Sequence, residues 1–174
     1  MNINATLSDL RLSSNNWVIG IIDGPNMSTL GRRDASKYGT INRDELDQLN
    51  KNWGAALGIT IESLVANLDG DILDWIHTKK RTVDAWIINP AGMQTYAEGI
   101  REAFEMSGKP YAETHFANTV NHFAKASPHT RLESGMTSQA LSLTMGLRQY
   151  SYLASLVGLV RCLDARFNDD HQNR

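Results

Sequence analysis

The sequence has a single cysteine, Cys162, among its 174 residues, which excludes an internal disulfide and a cysteine-based zinc cluster. Its 17 basic and 19 acidic residues nearly balance, so the strongly basic face of a nucleic-acid-binding protein is not expected. No apolar run approaches the ~20 residues that span a bilayer, and the polar N-terminus lacks the apolar core of a signal peptide. These absences predict one globular domain in the reducing cytoplasm, without a nucleic-acid or membrane partner.

Several common signatures of cofactor binding and catalysis are also missing. The motifs G-x-G-x-x-G and G-x-x-x-x-G-K-[ST], which hold dinucleotides and triphosphates, do not occur. No G-x-S-x-G element is present to expose a nucleophilic serine. The five histidines show no helical pair with a third metal ligand. The sequence therefore carries none of the usual signals for a dinucleotide, a nucleoside triphosphate or a metal ion.

Apolar strand-like runs alternate with amphipathic helical segments along the chain. Strands are expected at 17–22, 59–66, 83–88, 110–115 and 141–145, and helices at 42–57, 69–80, 95–107 and 150–164. This alternation predicts an α/β fold with a five-stranded parallel sheet covered on both faces. We expect a single domain over residues 16–168, between a flexible N-terminal extension (1–15) and a polar C-terminal tail (169–174).

Polar residues follow three of the predicted strands. The first strand ends in DGPN, the third in NPAG and the fourth in ETHFAN. Ligands of parallel sheets bind outside the carboxyl ends of the strands, so Asn26, Asn89, Glu113 and His115 are expected to lie close together. Each asparagine could instead serve only to form a turn.

The loop from Gly31 to Gly39 carries two arginines, a lysine and a tyrosine. Tyrosine is a poor base at its reference pKa of about 10, but a nearby guanidinium such as that of Arg33 would stabilise the Tyr38 phenolate. A glycine-hinged loop with this pair would suit removal of a proton next to a carbonyl group. The alternative is an ordinary solvated loop with one exposed aromatic residue.

Glu113 and His115 lie two residues apart in a predicted strand, so their side chains emerge on the same face. A carboxylate beside an imidazole fixes its tautomer and stabilises its protonated form, which makes a general acid. The alternative is a histidine that only forms structural hydrogen bonds.

Four segments together resemble a known family. GPNMSTLGRRDASKYG is similar to G-P-N-L-x-x-L-G-x-R-x-x-x-x-Y-G, and NLDGDILDWIH is similar to N-H-E-G-x-L-x-D-W-I-H. IINPAGMQTYAEGIREA resembles I-I-N-P-G-A-x-T-H-T-S-x-A-L-R-D-A, and PYAETHFAN resembles P-x-x-E-V-H-x-S-N. These are the signatures of type II 3-dehydroquinate dehydratases, and the resemblance covers about residues 17–160.

The resemblance implies a flavodoxin-like three-layer sandwich, trimers assembled into a dodecamer, and a carbon–oxygen lyase without a cofactor. The implied reaction is the anti elimination of water from a cyclic β-hydroxy keto acid through an enolate. By position, Tyr38 would be the base, Arg33 would keep it ionised, and Asn26 would hold a water on the enolate. His115 would protonate the departing hydroxyl while Glu113 orients it.

The same resemblance implies a set of substrate-binding residues. Asn89 and the backbone around Phe116 and Ala117 would hold the leaving hydroxyl and the carboxylate. Thr95 stands where the family has a histidine that contacts a ring hydroxyl. Glu102 stands where it has an aspartate that acts on a neighbouring subunit.

The segment 119–130 also departs from the family, and the arginine that grips the ring hydroxyls has no clear counterpart there. His122, Lys125 or Arg131 could replace it. Weaker recognition of the hydroxyls far from the leaving group is therefore expected. Two alternative functions stay open: a lyase for another cyclohexanoid, or a non-catalytic oligomeric scaffold. The pathway, whether aromatic biosynthesis, quinate breakdown or a secondary-metabolite route, also stays open.

Overall fold

The computed structural model describes residues 6–126 and 134–172. Five parallel strands form its sheet: β1 (Val18–Asp23), β2 (Thr60–Val65), β3 (Ala85–Asn89), β4 (Tyr111–His115) and β5 (Ser142–Met145). Their order in the sheet is β2-β1-β3-β4-β5, which is the flavodoxin-like order. The predicted α/β fold with a five-stranded parallel sheet is confirmed.

Helices cover both faces of the sheet. They are α1 (Ala35–Tyr38), α2 (Arg43–Leu57), α3 (Asp69–Lys79), α4 (Glu98–Ser107), α5 (Thr119–Ala126) and α6 (Tyr150–Gln172), with 3-10 turns at Leu7–Leu10, Met27–Thr29 and Ala91–Thr95. Because strand side chains alternate between faces, Ile19 and Ile21 of β1 pack in the same core as Leu46 of α2 and Leu156 of α6. Ile22 packs in the opposite core with α3 and α4.

Gly20 in β1 leaves room for a large aromatic side chain to lie across one face of the sheet. A Cβ at Gly20 would lie 2.5 Å from the ring of Trp86 on the neighbouring strand. Trp86 is fully buried and packs edge-on against Trp75 and at a tilt against Phe104. Phe104 in turn stacks on Tyr111, with the ring centroids 4.6 Å apart. Gly20 therefore leaves β1 flat where Trp86 lies across it, in the core that also contains Ile22.

Helix α2 shows how local chemistry sets its ends. The Asn42 side chain accepts a hydrogen bond from the backbone N–H of Glu45, and the Glu45 carboxylate accepts one from the N–H of Asn42, each at 2.9 Å. This reciprocal cap satisfies two N–H groups that have no partner inside the helix. The helix stops at Gly58, which adopts a left-handed φ of 68°.

The prediction of a loose extension over residues 1–15 is wrong for the part that the structure describes, 6–15. The buried carboxylate of Asp164 on α6 accepts hydrogen bonds from Arg11 Nε at 2.7 Å, Ser13 Oγ at 2.6 Å and Trp17 Nε1 at 2.7 Å. A buried carboxylate needs such donors, so it fastens this segment to the domain. Burial raises the pKa of Asp164, but these hydrogen bonds outweigh burial and hold it well below its usual range.

Three further differences from the sequence predictions concern the helices. The helix expected over 95–107 begins only at Glu98, after the 3-10 turn Ala91–Thr95. Helix α5 was not expected at all. Helix α6 continues through residue 172, so residues 169–172 of the expected polar tail are helical.

Candidate active site

A cavity of about 240 Å³ opens at the carboxyl ends of β1, β3 and β4. This is where the strand order reverses and where ligands of such sheets bind. Eight of the ten predicted site residues line it: Asn26, Arg33, Tyr38, Asn89, Thr95, His115, Phe116 and Ala117. Of the other two, Glu113 lies behind His115, while Glu102 is exposed on α4 and does not line this cavity.

The turn after β1 brings Asn26 to the cavity. Gly24 donates its N–H to the carbonyl of Asn89 at 2.8 Å, and a Cβ there would lie 2.6 Å from the carbonyl oxygen of Pro90. Only glycine allows this approach. Asn26 then adopts a left-handed φ of 66°, which asparagine tolerates better than most residues, and its N–H donates to Asn67 Oδ1 at 3.0 Å.

Arg33 and Tyr38 meet on the second wall of the cavity. Arg33 Nη2 donates to the Tyr38 hydroxyl oxygen at 2.8 Å, and the guanidinium carbon lies 3.8 Å from the centre of the tyrosine ring. A guanidinium can only donate hydrogen bonds, so it stabilises negative charge on the phenol oxygen. The predicted pairing of these residues is present.

The loop that carries this pair is ordered by short-range contacts. Asp34 caps the single turn of α1 by accepting from the N–H of Ser36 at 3.0 Å, and Arg148 Nη2 donates to the carbonyl of Ser36 at 3.1 Å. Hydrogen bonds from Ser36 lower the pKa of Asp34. Gly39 ends the turn with a φ of 72°. These contacts hold Tyr38 over the cavity.

His115 and Glu113 form a buried pair on β4. His115 Nε2 lies 2.7 Å from Glu113 Oε1, and both residues are almost completely buried. Burial raises the pKa of Glu113, but hydrogen bonds with His115, Thr137 and Ser134 outweigh it and leave the pKa below its ordinary value. The carboxylate is therefore ionised, and its hydrogen bond fixes the orientation of the imidazole next to the cavity.

Asn89 is held from behind by residues that the sequence prediction missed. Its Nδ2 donates to the Tyr152 hydroxyl at 2.9 Å and to Met27 Sδ at 3.4 Å, and its Oδ1 accepts from the N–H of Ala91 at 3.2 Å. Both amide hydrogens are thus engaged. Asn89 meets a ligand chiefly as an acceptor, through the second lone pair of Oδ1.

Tyr152 in turn donates to the carboxylate of Asp23, which is fully buried at the end of β1. Burial raises the pKa of Asp23 to about 6, against the opposing effects of Arg43, 3.6 Å away, and of Tyr152. Burial and the nearby Asp23 raise the pKa of Tyr152 well above its ordinary value, so it stays a hydrogen-bond donor.

Signals for some of the missed residues exist in the sequence. Asp23 begins the DGPN turn, and Gln94, which also lines the cavity, follows the NPAG turn. Tyr152 and Thr137 carry no local signal, because tertiary packing alone brings them to Asn89 and Glu113. His122 and Lys125 have side chains outside the described part of the structure, as has the whole of Arg131.

The described residues, 6–126 and 134–172, hold neither a metal cluster nor a membrane-spanning helix. In that part of the chain, no group of three or more His, Cys, Asp or Glu side chains is arranged to hold a metal ion. Within the same residues, every helix is too short or too polar to cross a membrane.

The fold and the cavity define an α/β protein with an arginine–tyrosine pair and a buried histidine–glutamate pair at the carboxyl edge of its sheet. Residues 17–160 match the model of the class II dehydroquinase family. The chain belongs to that family.

Two relatives that carry a name support membership of this family. The 3-dehydroquinate dehydratase of Thermotoga maritima is 31% identical over 138 residues, which cover 78% of this chain and 90% of that protein. A catabolic 3-dehydroquinase of Verticillium alfalfae is 32% identical over 136 residues, covering 78% and 87%.

Solved structures agree as well. The type II dehydroquinase from Propionibacterium acnes superposes with a TM-score of 0.72 at 26% identity, covering 84% of this chain and 99% of that one. The enzyme of the same type from Butyrivibrio crossotus gives a TM-score of 0.74 at 24% identity, covering 83% and 97%, and shows the likeness of fold.

Proposed function

We propose that this protein is a type II 3-dehydroquinate dehydratase, a hydro-lyase that converts 3-dehydroquinate to 3-dehydroshikimate and water. Of the three functions that the sequence leaves open, the named relatives support this one. The observation that carries it is the presence in one cavity of the Arg33–Tyr38 pair and of His115 backed by Glu113.

The first step is removal of a proton from the carbon next to the carbonyl group. The Tyr38 phenolate takes this proton, and the electrons of the C–H bond move to the carbonyl oxygen to give an enolate. Arg33 favours the phenolate because its guanidinium donates to the phenol oxygen and lies against the ring. Asn26, at the mouth of the cavity, holds a water molecule that stabilises the enolate oxygen.

The second step expels the hydroxyl group from the neighbouring carbon. The enolate electrons return to form the carbon–carbon double bond, and protonated His115 gives its proton to the departing oxygen, so water leaves. Glu113 holds Nε2, which leaves Nδ1 of the imidazolium to donate. The reaction removes one proton and one hydroxyl, and these acid and base groups handle both.

Binding groups around the cavity fix the substrate. Asn89 Oδ1 accepts from the leaving hydroxyl, since its amide hydrogens are already engaged. The substrate carboxylate needs donors, and the backbone N–H groups around Phe116 and Ala117, at the end of β4, supply them. Thr95 lies on the cavity wall and faces the ring hydroxyls.

We also propose that the chain assembles as trimers within a dodecamer. Glu102 is exposed on α4 and lies outside its own cavity, which suits a role in the cavity of a neighbouring subunit. The edge strand β5 and the segment after it expose Leu143, Leu147 and Tyr150, and such apolar groups are typical of an interface between copies.

Subunit mixing tests the assembly together with the role of Glu102. Tyr38→Phe and Glu102→Ala chains should each be nearly inactive. Hybrids formed by denaturing and refolding a mixture should regain activity, because a normal cavity then meets a normal Glu102 from its neighbour. Light scattering should report about twelve subunits, and a monomer at micromolar concentration would refute the assembly.

The activity itself is tested by incubating the protein with 3-dehydroquinate and following the ultraviolet absorbance of the conjugated enone. We expect turnover that is lost in Tyr38→Phe. Absence of turnover by the folded wild-type protein would overturn the proposal.

We assign the reaction to the shikimate pathway of aromatic amino acid biosynthesis and the protein to the cytoplasm. A gene deletion that makes growth depend on added aromatic amino acids would support this pathway. A deletion that abolishes growth only on quinate would place the enzyme in quinate breakdown.

A further inference from the structure

Gln94 lines the cavity, and the oxygen of its side chain has no hydrogen-bond partner among the residues that the structure describes. Only 7% of the residue is exposed, yet it lines the cavity beside Thr95. Its Oε1 is sheltered from bulk solvent and accepts no hydrogen bond from any residue that the structure describes. Buried polar groups nearly always have a partner, so this oxygen lacks one that a bound molecule can supply.

The backbone presents this side chain from a fixed position. Gln94 lies in the 3-10 turn Ala91–Thr95, and its own carbonyl accepts the N–H of Gly135 at 2.8 Å. Gly135 belongs to the same segment as Thr137, which binds Glu113. One segment thus supports both the acid side of the cavity and the turn that carries Gln94.

The chemistry of the unpartnered atom selects its partner. Oε1 is an acceptor, so it requires a group that carries a hydrogen. The ketone and the ionised carboxylate of a cyclic hydroxy-keto acid carry none, whereas each ring hydroxyl does. Rotation of the amide about its last torsion would also let Nε2 donate to the same hydroxyl.

We propose that Gln94 is a specificity-determining residue that binds a ring hydroxyl of the substrate other than the leaving group. This assignment rests on the proposed function for the identity of the substrate. It gives the chain a hydroxyl contact that does not depend on Thr95 or on residues 119–131.

The test replaces Gln94 by methionine, which keeps the length and volume but cannot bind a hydroxyl. We expect kcat/KM on 3-dehydroquinate to fall by roughly 10- to 100-fold. On the analogue that lacks the contacted hydroxyl, wild type and variant should be equally efficient. Gln94→Asn has a side chain that is one methylene shorter, so its amide does not reach the hydroxyl. It should show the same loss on 3-dehydroquinate and the same equality on the analogue, and it serves as the test if the methionine variant folds poorly.

Thermal unfolding separates a binding role from a structural one. Since Oε1 makes no hydrogen bond in the described structure, Gln94→Met should unfold at the same temperature as wild type or higher. Gln48→Met, the same change on the exposed face of α2, is the matched control and should leave activity unchanged. A lower unfolding temperature, no loss of kcat/KM, or an equal loss on every analogue would overturn the proposal.

Calorimetric binding of quinate, which has the ring hydroxyls but no ketone, distinguishes this proposal from the proposed function. If Gln94→Met weakens quinate binding about tenfold and neither protein turns over 3-dehydroquinate, the assignment of Gln94 stands and the dehydratase fails. If both proteins turn over 3-dehydroquinate, and Gln94→Met has the quinate affinity and the kcat/KM of wild type, the dehydratase stands and the role of Gln94 is refuted. Wild-type protein that neither binds quinate nor turns over 3-dehydroquinate refutes both.

Discussion

Thr137 donates its hydroxyl hydrogen to Oε2 of Glu113, the carboxylate oxygen that His115 leaves unused. Both oxygens of this buried carboxylate are therefore hydrogen-bonded, and its charge is stabilised on each side. The ionised carboxylate in turn fixes the orientation of the His115 imidazole through Nε2. Thr137 acts on the reaction through Glu113, without lining the cavity itself.

Thr137→Val removes the hydroxyl but keeps the shape of the side chain. The pKa of Glu113 should then rise, because a hydrogen bond to the charged carboxylate is lost. The acid limb of the pH profile of kcat/KM should move in the same direction, to higher pH. Because the folded-state pKa of Glu113 is depressed, its stabilisation exists above the unfolded pKa and disappears as pH falls through the folded value.

The loss of unfolding free energy in Thr137→Val should accordingly be larger at pH 7 than in acid. Thr78→Val, on an exposed position of α3, serves as the control. An acid limb that coincides with that of wild type would show that Thr137 does not influence Glu113.

Tyr38→Phe removes the phenol oxygen and keeps the ring that lies under Arg33. We expect kcat to fall by roughly 10²- to 10⁴-fold, the usual contribution of a general base, while quinate binds with nearly unchanged affinity. Steady-state kinetics and calorimetry measure the two effects. Tyr96→Phe, on an exposed tyrosine that does not line the cavity, should behave as wild type, and near-normal turnover by Tyr38→Phe would refute the mechanism.

Asp23 has a pKa of about 6, above its ordinary value of 3.8, so it destabilises the fold when ionised. The unfolded chain loses this proton first, and the free energy of unfolding falls as pH rises from about 4 to 6, by roughly 2 to 3 kcal/mol. Asp23→Asn should lack this fall.

Urea denaturation of both proteins from pH 4 to pH 7 measures the difference. Wild type should lose stability relative to the variant as pH rises. Asp44→Asn, on an exposed position, controls for the loss of a surface carboxylate. If the difference in unfolding free energy between wild type and Asp23→Asn does not change with pH, Asp23 is not the group that causes the loss of stability.

Asp164→Asn leaves the donors of residues 11–17 with an uncharged acceptor. Breaking a buried ion pair leaves Arg11 without its counter-charge, so the free energy of unfolding should fall by about 3 kcal/mol. Trypsin should also cut after Arg11 much faster than in wild type, as mass spectrometry will detect. Equal cleavage rates and stability within about 0.5 kcal/mol would show that this segment is not held by Asp164.

Fold class and cavity position could be predicted from the sequence because both depend on short-range patterns. The runs around Ile21 and Ile87 are buried on both faces, and the turns that follow them point to one edge of the sheet. The N-terminal contacts could not be predicted, since Arg11 and Asp164 lie far apart in sequence and meet only through tertiary packing.

In the site, too, the residues that are close in sequence could be predicted and those from distant segments could not. Arg33 and Tyr38 lie five residues apart in one loop, and Glu113 and His115 lie two apart in one strand, so spacing alone suggests both pairs. Thr137 and Tyr152 reach the site from distant segments. Gln94 was missed for another reason: its place after the NPAG turn is visible in the sequence, but only the structure shows that its Oε1 has no hydrogen-bond partner among the described residues.

The strand order has a consequence for how the chain folds. Ile19 of β1 pairs with Ile61 on one side and with Ala85 on the other, and every strand pairing in the sheet is parallel. Each pairing must therefore wait for an intervening helix, and such non-local contacts slow folding. On the ribosome, one face of β1 stays uncovered until α6, the last element of the chain, has emerged, so the nascent chain exposes this strand to aggregation and to chaperones throughout synthesis.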